Sequence, residues 1–229
     1  MSTTNEIVIV GIGETAEMAY EYFTIDSPYK VVAFAAEENY LKERFNSKSE
    51  MFGVPIVEIE KLSQKFPPKR YRAFVAMASG RLNHDRAKMY NFMCQEGYDL
   101  VSYISSRAFI GVDVTFGKNC FVMENCCIQR KVQIGNDVLM WSGSGIAHGG
   151  IVKDHVFFAP NAVVAGYSEI GEYTFLGVNS CVADKVKIAE NCFIDGGVYI
   201  SRDTKPYELF FHERAKADNR STYEFFKIG

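Results

Sequence analysis

An apolar residue recurs at every sixth position from residue 110 to residue 200, and no insertion interrupts the series. The sixteen positions are Ile110, Phe116, Val122, Ile128, Ile134, Met140, Ile146, Val152, Phe158, Val164, Ile170, Leu176, Val182, Ile188, Ile194 and Ile200. If half of all residues were apolar at random, the probability of such a run would be about one in 10⁴–10⁵. The period is that of the hexapeptide repeat, in which three units close one triangular coil of a parallel β-helix. The span therefore predicts about five stacked coils.

The residues two positions before these apolar residues are small or β-branched, and we expect them to point inward as well. Examples are Cys120, Cys126, Val138, Ser144, Ala162, Ser168, Thr174 and Ser180. The pattern assigns Cys120, Cys126 and Cys192 to the core and turns Cys127 outward. None of the six cysteines forms a C-x-x-C pair, so reduced thiols are expected.

The first hundred residues alternate between strand-like and helix-like segments, which predicts an α/β domain with a short, Rossmann-like parallel sheet. Gly11 and Gly13 end the first strand in a G-x-G-x-x-A pattern, and Glu37 ends the second strand. Ligands of such sheets bind at the carboxyl ends of the strands, where a helix N-terminus attracts phosphate and an acid can accept a ribose hydroxyl. A full dinucleotide-binding dehydrogenase fold, a truncated domain that grips one nucleotide and a purely structural domain remain open, since the motif alone is weak.

The composition excludes several classes of protein. A net charge of −3 argues against a general nucleic-acid binder. The sequence has no apolar run of membrane-spanning length and no export signal at its start, so we expect a cytoplasmic protein. The expected organisation is an α/β domain over residues 1–103, an all-β parallel β-helix over 104–201 and a tail over 202–229.

His148 stands among small residues in "SGSGIAHGGIV" and is the candidate general base. An 18-residue coil places Arg130 on one side of it and Gly166 on the other, and the bare N–H of Gly166 is a candidate oxyanion donor. Pro160, Val178 and Gly196 form a second column on another side of the prism. The two columns lie too far apart in one chain to form a single site, but two neighbouring chains can bring them together. We therefore expect a site that is shared between chains.

Other polar residues have more open roles. Glu124 and Asp154 are the candidates for the acid that orients His148. We expect His155 to face solvent, whereas His84, Asn83 and Arg86 follow a strand end and could contact substrate. A zinc site of three histidines is not expected, because residues 148 and 155 differ by seven positions and fall on different sides of a coil.

The short nucleotide-binding pattern, the uninterrupted repeats, "GIAHGGIV" and "FLGVNSCVADKVKI" together resemble the bacterial sialic acid O-acetyltransferase-like family of nucleotide-sugar acetyltransferases. The resemblance implies a left-handed β-helix, a homotrimer and acetyl-CoA bound between neighbouring helices, without a metal. It also implies a nucleotide-linked amino sugar held by the first domain. The implied catalytic position is His148 with Gly166 beside it, and the implied acetyl-CoA contacts are Gly166, Val178, Gly196 and Phe157. The implied nucleotide contacts are Gly13, Glu14, Thr15, Glu37, Ala78, Ser79 and Gly80.

The resemblance therefore predicts an acetyl-CoA-dependent N-acetyltransferase for surface glycan assembly, with a 4-amino sugar as the expected acceptor. Direct transfer is expected, because no Ser–His–Asp group is visible in the sequence. Two alternatives stay open at this point, namely O-acetylation of a sugar hydroxyl of the sialic acid type and a non-catalytic β-helix scaffold. The sequence departs from the family by having Gly149 where an acid often follows the histidine, and Phe157 where a second histidine often stands.

Overall fold

The computed structural model describes residues 4–44, 49–213 and 215–228. Its first part is a five-stranded sheet in the order β3-β4-β2-β1-β5, which is parallel except for the β3–β4 pair. The elements are β1 (Glu6–Val10), α1 (Glu14–Ile25), β2 (Lys30–Ala36), α2 (Glu38–Arg44), β3 (Glu50–Met51), β4 (Val54–Glu58), a 3-10 turn (Ile59–Lys61), α3 (Leu62–Lys65), β5 (Arg72–Val75) and α4 (His84–Gln95). The sequence pattern indicated β1, β2, β5, α1 and α4 but not β3 and β4.

The second part consists of two-residue strands that repeat every six residues and stack into three parallel sheets. The strands are β6 (Tyr103–Ile104), β7 (Phe109–Ile110), β8 (Thr115–Phe116), β9 (Phe121–Val122), β10 (Cys127–Ile128), β11 (Gln133–Ile134), β12 (Leu139–Met140), β13 (Gly145–Ile146), β14 (Ile151–Val152), β15 (Phe157–Phe158), β16 (Val163–Val164), β17 (Glu169–Ile170), β18 (Phe175–Leu176), β19 (Cys181–Val182), β20 (Lys187–Ile188), β21 (Phe193–Ile194), β22 (Tyr199–Ile200) and β23 (Leu209–Phe210).

The register of these strands confirms the coil of 18 residues. Cys127 pairs with Gly145, and Gly145 pairs with Val163. The last turn is shorter, because Phe193 pairs with Leu209. The β-helix thus runs from β6 to β23, and β23 lies in the segment that the sequence pattern assigned to the tail. The short helix α5 (Thr222–Phe226) follows it and has no buried residue.

The interior of the β-helix is an apolar core built from the repeat positions. Ile128, Val164 and Leu176 are fully buried, and each such side chain contributes about 1.5–3 kcal/mol relative to exposure. Cys120, Cys126 and Cys192 are buried and Cys127 is exposed, which confirms their assignment.

One residue in each six-residue unit has a positive φ at the corner between two sheets. The series is Asp113, Asn119, Asn125, Lys131, Asp137, Gly143, Gly149, His155, Asn161, Tyr167, Tyr173, Asn179, Lys185, Asn191 and Gly197. Asn, Asp and Gly tolerate this left-handed conformation best. Ten of the fifteen corner residues named here are Asn, Asp or Gly, a preference that the apolar period alone does not reveal.

The first domain packs on one face of the β-helix. The outward-facing rings of Phe121 and Phe157 lie in one buried cluster with Phe23, Phe74 and Tyr103. Polar contacts flank this cluster, because Tyr22 donates to Glu124 at 2.5 Å and Asp26 accepts from Tyr103 at 2.8 Å. None of the helices in the described ranges has the length and apolar character needed to cross a bilayer.

Candidate active site

A cleft of about 530 Å³ opens at the carboxyl ends of β1 and β5. It is lined by Gly11, Ile12, Gly13, Glu14, Thr15, Glu17, Tyr40, Ala76, Met77 and Ala78. Gly11 has φ +129°, and a Cβ there would lie 2.5 Å from the carbonyl oxygen of Ala76. Gly11 thus lets the ends of β1 and β5 approach each other. Gly13 is the N-cap of α1, so the helix N-terminus faces this cleft.

The structure divides the predicted nucleotide contacts into two groups. The residues Gly11, Gly13, Glu14, Thr15 and Ala78 line the cleft. Glu37 is exposed directly after β2, and Ser79 and Gly80 lie in the loop after β5, at the same edge of the sheet but outside the cleft lining. The first group is therefore the core of the candidate nucleotide site.

Asn83 and Arg86 have a different place from the one expected. Both side chains are completely buried. Arg86 Nε donates to Asp137 Oδ2 at 3.0 Å, and Arg86 Nη1 donates to Asn83 Oδ1 at 3.2 Å. Asn83 Nδ2 donates to the carbonyl oxygen of Tyr173 at 3.0 Å. The prediction of direct substrate contact is corrected, because both side chains join the first domain to the β-helix.

These contacts belong to a polar column on one corner of the β-helix, at residues 119, 137, 155, 173 and 191. Asn119 accepts from Val75 N at 2.7 Å and donates to Val75 O at 3.1 Å, and it also donates to Asp137 Oδ1 at 2.8 Å. His84 stacks on Tyr173 with a ring separation of 4.2 Å and contacts Asn191 Oδ1 at 2.8 Å. We call these five corner residues the docking column. It carries the first domain.

His155 is part of this docking column and does not face solvent, so that prediction is wrong. Its side chain is only 8% exposed, and its Nδ1 lies 2.9 Å from Asp137 Oδ2. Its ring stacks on Tyr173 at 4.9 Å, and Tyr90 contacts it edge-on at 5.5 Å. Burial, together with the nearby Cys94, raises the pKa of Tyr90.

His148 lies two residues after β13, at an exposed corner. Gln129 Oε1 accepts from the backbone N–H of His148 at 3.0 Å and lies 3.1 Å from His148 Nδ1. A backbone N–H can only donate, so the atom facing it must be the amide oxygen, and Nδ1 must then carry the proton that this oxygen accepts. Nε2 is consequently the unprotonated nitrogen of the neutral ring.

Gly166 lies directly above the imidazole in the stack. A Cβ on Gly166 would lie 3.0 Å from both Nε2 and Cε1 of His148 and 3.1 Å from Asp184 Oδ1. Among the described residues the N–H of Gly166 has no acceptor, whereas Tyr167 N donates to His148 O at 2.9 Å. Only a glycine here lets the imidazole edge and the Asp184 carboxylate approach the backbone this closely.

Gly149 and Tyr167 complete this corner. Gly149 has φ +68°, and a Cβ there would lie 2.7 Å from the ring of Tyr167. The Tyr167 ring meets His148 edge-on at 5.0 Å. A side chain at position 149 would therefore collide with the Tyr167 ring.

The two expected orienting acids are engaged elsewhere. Glu124 accepts from Tyr22 and Ser142, and Asp154 accepts from Asn136. Gln129 orients the ring instead, through an amide oxygen and not through one of the expected carboxylates.

The residues expected to hold acetyl-CoA fall into two groups. Val178 is 47% exposed and adjoins Gly196, where a Cβ would lie 3.2 Å from Val178 O. Phe157, in contrast, is buried and stacks on Phe175 at 5.1 Å. Its expected contact with acetyl-CoA is corrected within this chain, because the ring is used for packing next to the first domain.

Comparisons with known proteins give a consistent picture. No family model matches the chain. The acetyltransferase domain of PglB from Neisseria gonorrhoeae, in complex with acetyl coenzyme A, has a TM-score of 0.76 at 18% identity and covers 88% of this chain and 93% of its own. PerB from Caulobacter crescentus, in complex with CoA and GDP-perosamine, has a TM-score of 0.76 at 25% identity over 89% and 92% of the two chains.

This chain has the fold of the hexapeptide-repeat acyltransferases. Its stacked parallel sheets are consistent with a left-handed β-helix of this class. A curated sequence relative is the acyl-carrier-protein-dependent UDP-N-acetylglucosamine O-acyltransferase of Campylobacter concisus, 28% identical over 124 residues. That match covers 51% of this chain and 47% of the relative, so the chain spans about half the length of the curated protein.

Proposed function

We propose that this chain is an acetyl-CoA-dependent N-acetyltransferase that acts on the amine of a nucleotide-linked amino-deoxy sugar, with a 4-amino group as the expected acceptor. The single observation that carries the proposal is the His148 corner, where Gln129 fixes Nδ1 and leaves Nε2 free beside Gly166. The likeness to PerB, which holds CoA and GDP-perosamine in its structure, supports the choice of co-substrate and acceptor class. Surface glycan assembly in the cytoplasm is the expected setting.

The first domain, in this proposal, is a short Rossmann-like domain that holds the nucleotide. The cleft beyond β1 and β5 supplies the bare backbone of Gly11 and Gly13 and the N-terminal amides of α1, which suit a nucleotide phosphate or ribose. The docking column connects the domain that contains this cleft to the β-helix. The two substrates are therefore bound by parts of the chain that are held in one fixed arrangement.

His148 then acts as general base in a direct transfer. As the neutral amine nitrogen forms its bond to the thioester carbonyl carbon, Nε2 takes a proton from that nitrogen. The N–H of Gly166 is the donor we assign to the oxyanion of the tetrahedral intermediate. When the carbon–sulfur bond breaks, the imidazolium returns its proton to the sulfur, and CoA leaves as the thiol.

The exposed column of Val178 and Gly196 fits the pantetheine arm, because Gly196 leaves the backbone open beside it. This column lies on another corner than His148, so we propose a homotrimer in which each site uses two chains. The sheet that ends next to His148 exposes Phe109, Val163 and Tyr199 at 63%, 47% and 63%. Such an apolar face suits association with a second copy.

The test is CoA release from acetyl-CoA with a panel of UDP-, GDP- and dTDP-linked sugars that carry an amine or a hydroxyl at carbon 3 or 4. We expect release with an amino sugar only, and a loss of about 10²–10⁴-fold in kcat for His148→Ala. CoA release with the hydroxyl sugars alone would show that the protein is an O-acetyltransferase instead. No release with any acceptor would leave a scaffold as the better interpretation.

A further inference from the structure

Asp184 lies one coil above Gly166, on the opposite side from His148. The point where a Gly166 Cβ would stand is 3.0 Å from His148 Nε2 and 3.1 Å from Asp184 Oδ1. Because both distances end at one point, the separation of Nε2 and Oδ1 is no more than the sum of 3.0 and 3.1 Å. His148 Nε2, a proton acceptor, and the Asp184 carboxylate therefore lie on either side of Gly166. We call this arrangement of the two groups the bracket.

Because the separation does not exceed this sum, one ligand nitrogen in front of the glycine can lie within hydrogen-bond distance of both groups, which extends to about 3.2 Å. The bracket holds no side chain of its own, since the coil between the two polar groups contributes only Gly166. The Asp184 side chain is 55% exposed, and Lys185 Nζ lies 3.6 Å from its Oδ2, which is too long for a strong hydrogen bond.

The negative charge of Asp184 distinguishes a sugar amine from a sugar hydroxyl as the acceptor. A sugar amine is largely an ammonium ion in neutral water, with three N–H donors and one positive charge. A carboxylate attracts such a group through charge-assisted hydrogen bonds, whereas a sugar hydroxyl brings no charge.

We propose that Asp184 is a specificity-determining residue that binds the ammonium form of the acceptor beside His148 and so favours amines over hydroxyls. This inference rests on the proposed function, because it assigns a role within the same site. The bound ammonium loses one proton to water, and the resulting neutral amine is then in place for attack with His148 as base. The net reaction releases one proton, one amide and one CoA thiol.

The experiment compares the wild type with Asp184→Asn, which keeps the shape and removes the charge. With the nucleotide amino sugar that the wild type turns over, KM should rise at least about fivefold, since a charge-assisted hydrogen bond is lost. The KM for acetyl-CoA should stay within about twofold, because the thioester is not a cation. The hydroxyl analogue of the same sugar should inhibit both enzymes equally well.

Asp113→Asn is the matched control, because Asp113 is an exposed aspartate at a corner of the same β-helix, two coils before Gly149 and away from Gly166. It should leave every constant unchanged. An unchanged KM for the amino sugar in Asp184→Asn would overturn the inference while the proposed function stands. If the wild type releases no CoA with any sugar, the proposed function and this inference fail together.

Discussion

The chemistry proposed for His148 depends on a neutral amide. Gln129 accepts from both the backbone and the ring of His148, so the proton on Nδ1 is fixed without a carboxylate in contact. A carboxylate at that place would stabilise the imidazolium, which is the inactive form of a general base. The amide keeps the ring oriented and adds no charge.

Gln129→Glu tests this role. The new carboxylate facing Nδ1 should keep the ring protonated to a higher pH, so the acid limb of kcat/KM should move upward by about one pH unit. The measurement is the pH profile of kcat/KM for the amino sugar. Gln129→Met, which removes the acceptor, should lower kcat without that displacement. If the acid limb of the kcat/KM profile of Gln129→Glu does not move, Gln129 does not control the protonation of His148.

Gly166→Ala tests the close contact between the edge of the His148 ring and the backbone of Gly166. Gly166 does not have a positive φ, so its backbone accepts alanine, but the new methyl would lie 3.0 Å from His148 Nε2. We expect kcat to fall about 10²-fold, in line with the loss of a positioned base. The melting temperature serves as the control and should barely change. Near-normal turnover in the folded variant would show that the acceptor does not approach next to Gly166.

At the scale of elements, the repeat is what the sequence predicts best. A single period fixes the strands β7 to β22, the coil length and the buried cysteines, because each coil repeats the same packing problem. The period also predicts that residues 148 and 166 are neighbours in adjacent coils. It says nothing about which corner meets another domain, and for that reason it does not predict the buried environment of Asn83, Arg86 and His155.

The docking column carries an element-scale prediction. Asn119 holds both backbone groups of Val75, and Arg86 Nη1 reaches the carbonyl of Ala78, which lines the nucleotide cleft. Ala76, Met77 and Ala78 line the cleft directly after β5, and we call this segment the wall of the cleft. A strained turn connects this wall to α4; its residues are Arg81, Leu82 and Asn83, with φ values of 46°, 53° and 68°. Asn119→Ala should therefore loosen the wall and raise the nucleotide-sugar KM about threefold or more. The KM for acetyl-CoA should be unaffected.

Tyr22→Phe is the control for Asn119→Ala. It also removes one hydrogen bond between the domains, at 2.5 Å to Glu124, but Tyr22 lies in the second half of α1 and does not contact the part of the cleft that follows β5. Direct binding of nucleoside diphosphates by calorimetry gives a second measure that does not need turnover. Equal effects of the two variants on nucleotide affinity would show that domain docking in general, and not the wall, is responsible.

The contact between α1 and the start of the β-helix should depend on pH. Hydrogen bonds from Ser106, and then from Tyr103, lower the pKa of Asp26 to about 2. A lowered pKa stabilises the fold above the unfolded value near 4, and this contribution is lost as the pH falls from about 4 to 2. Thermal melting between pH 7 and pH 2.5 should thus fall more steeply for the wild type than for Asp26→Asn. Parallel curves would contradict this.

For the whole molecule, the three faces of the prism differ in character. One face carries the first domain, and a second presents Thr115, Gln133, Glu169 and Lys187 to solvent. The third presents Phe109, Val163 and Tyr199 and ends beside His148. The apolar face is the one left for self-association, so sedimentation should show a trimer. Val163→Asp should shift it toward the monomer and abolish turnover.

A shared site makes a stricter prediction for mixed assemblies. His148→Ala and Val178→Asp should each be nearly inactive alone, the first without a base and the second with a charge on the exposed column. If each site takes His148 from one chain and Val178 from its neighbour, random mixing in equal amounts leaves about one site in four with both native residues. Refolding the two variants together should then recover about a quarter of the wild-type rate, as measured by CoA release. If His148 and Val178 of a site belonged to the same chain, every site in the mixture would keep one defect, and the rate would remain that of the separate variants.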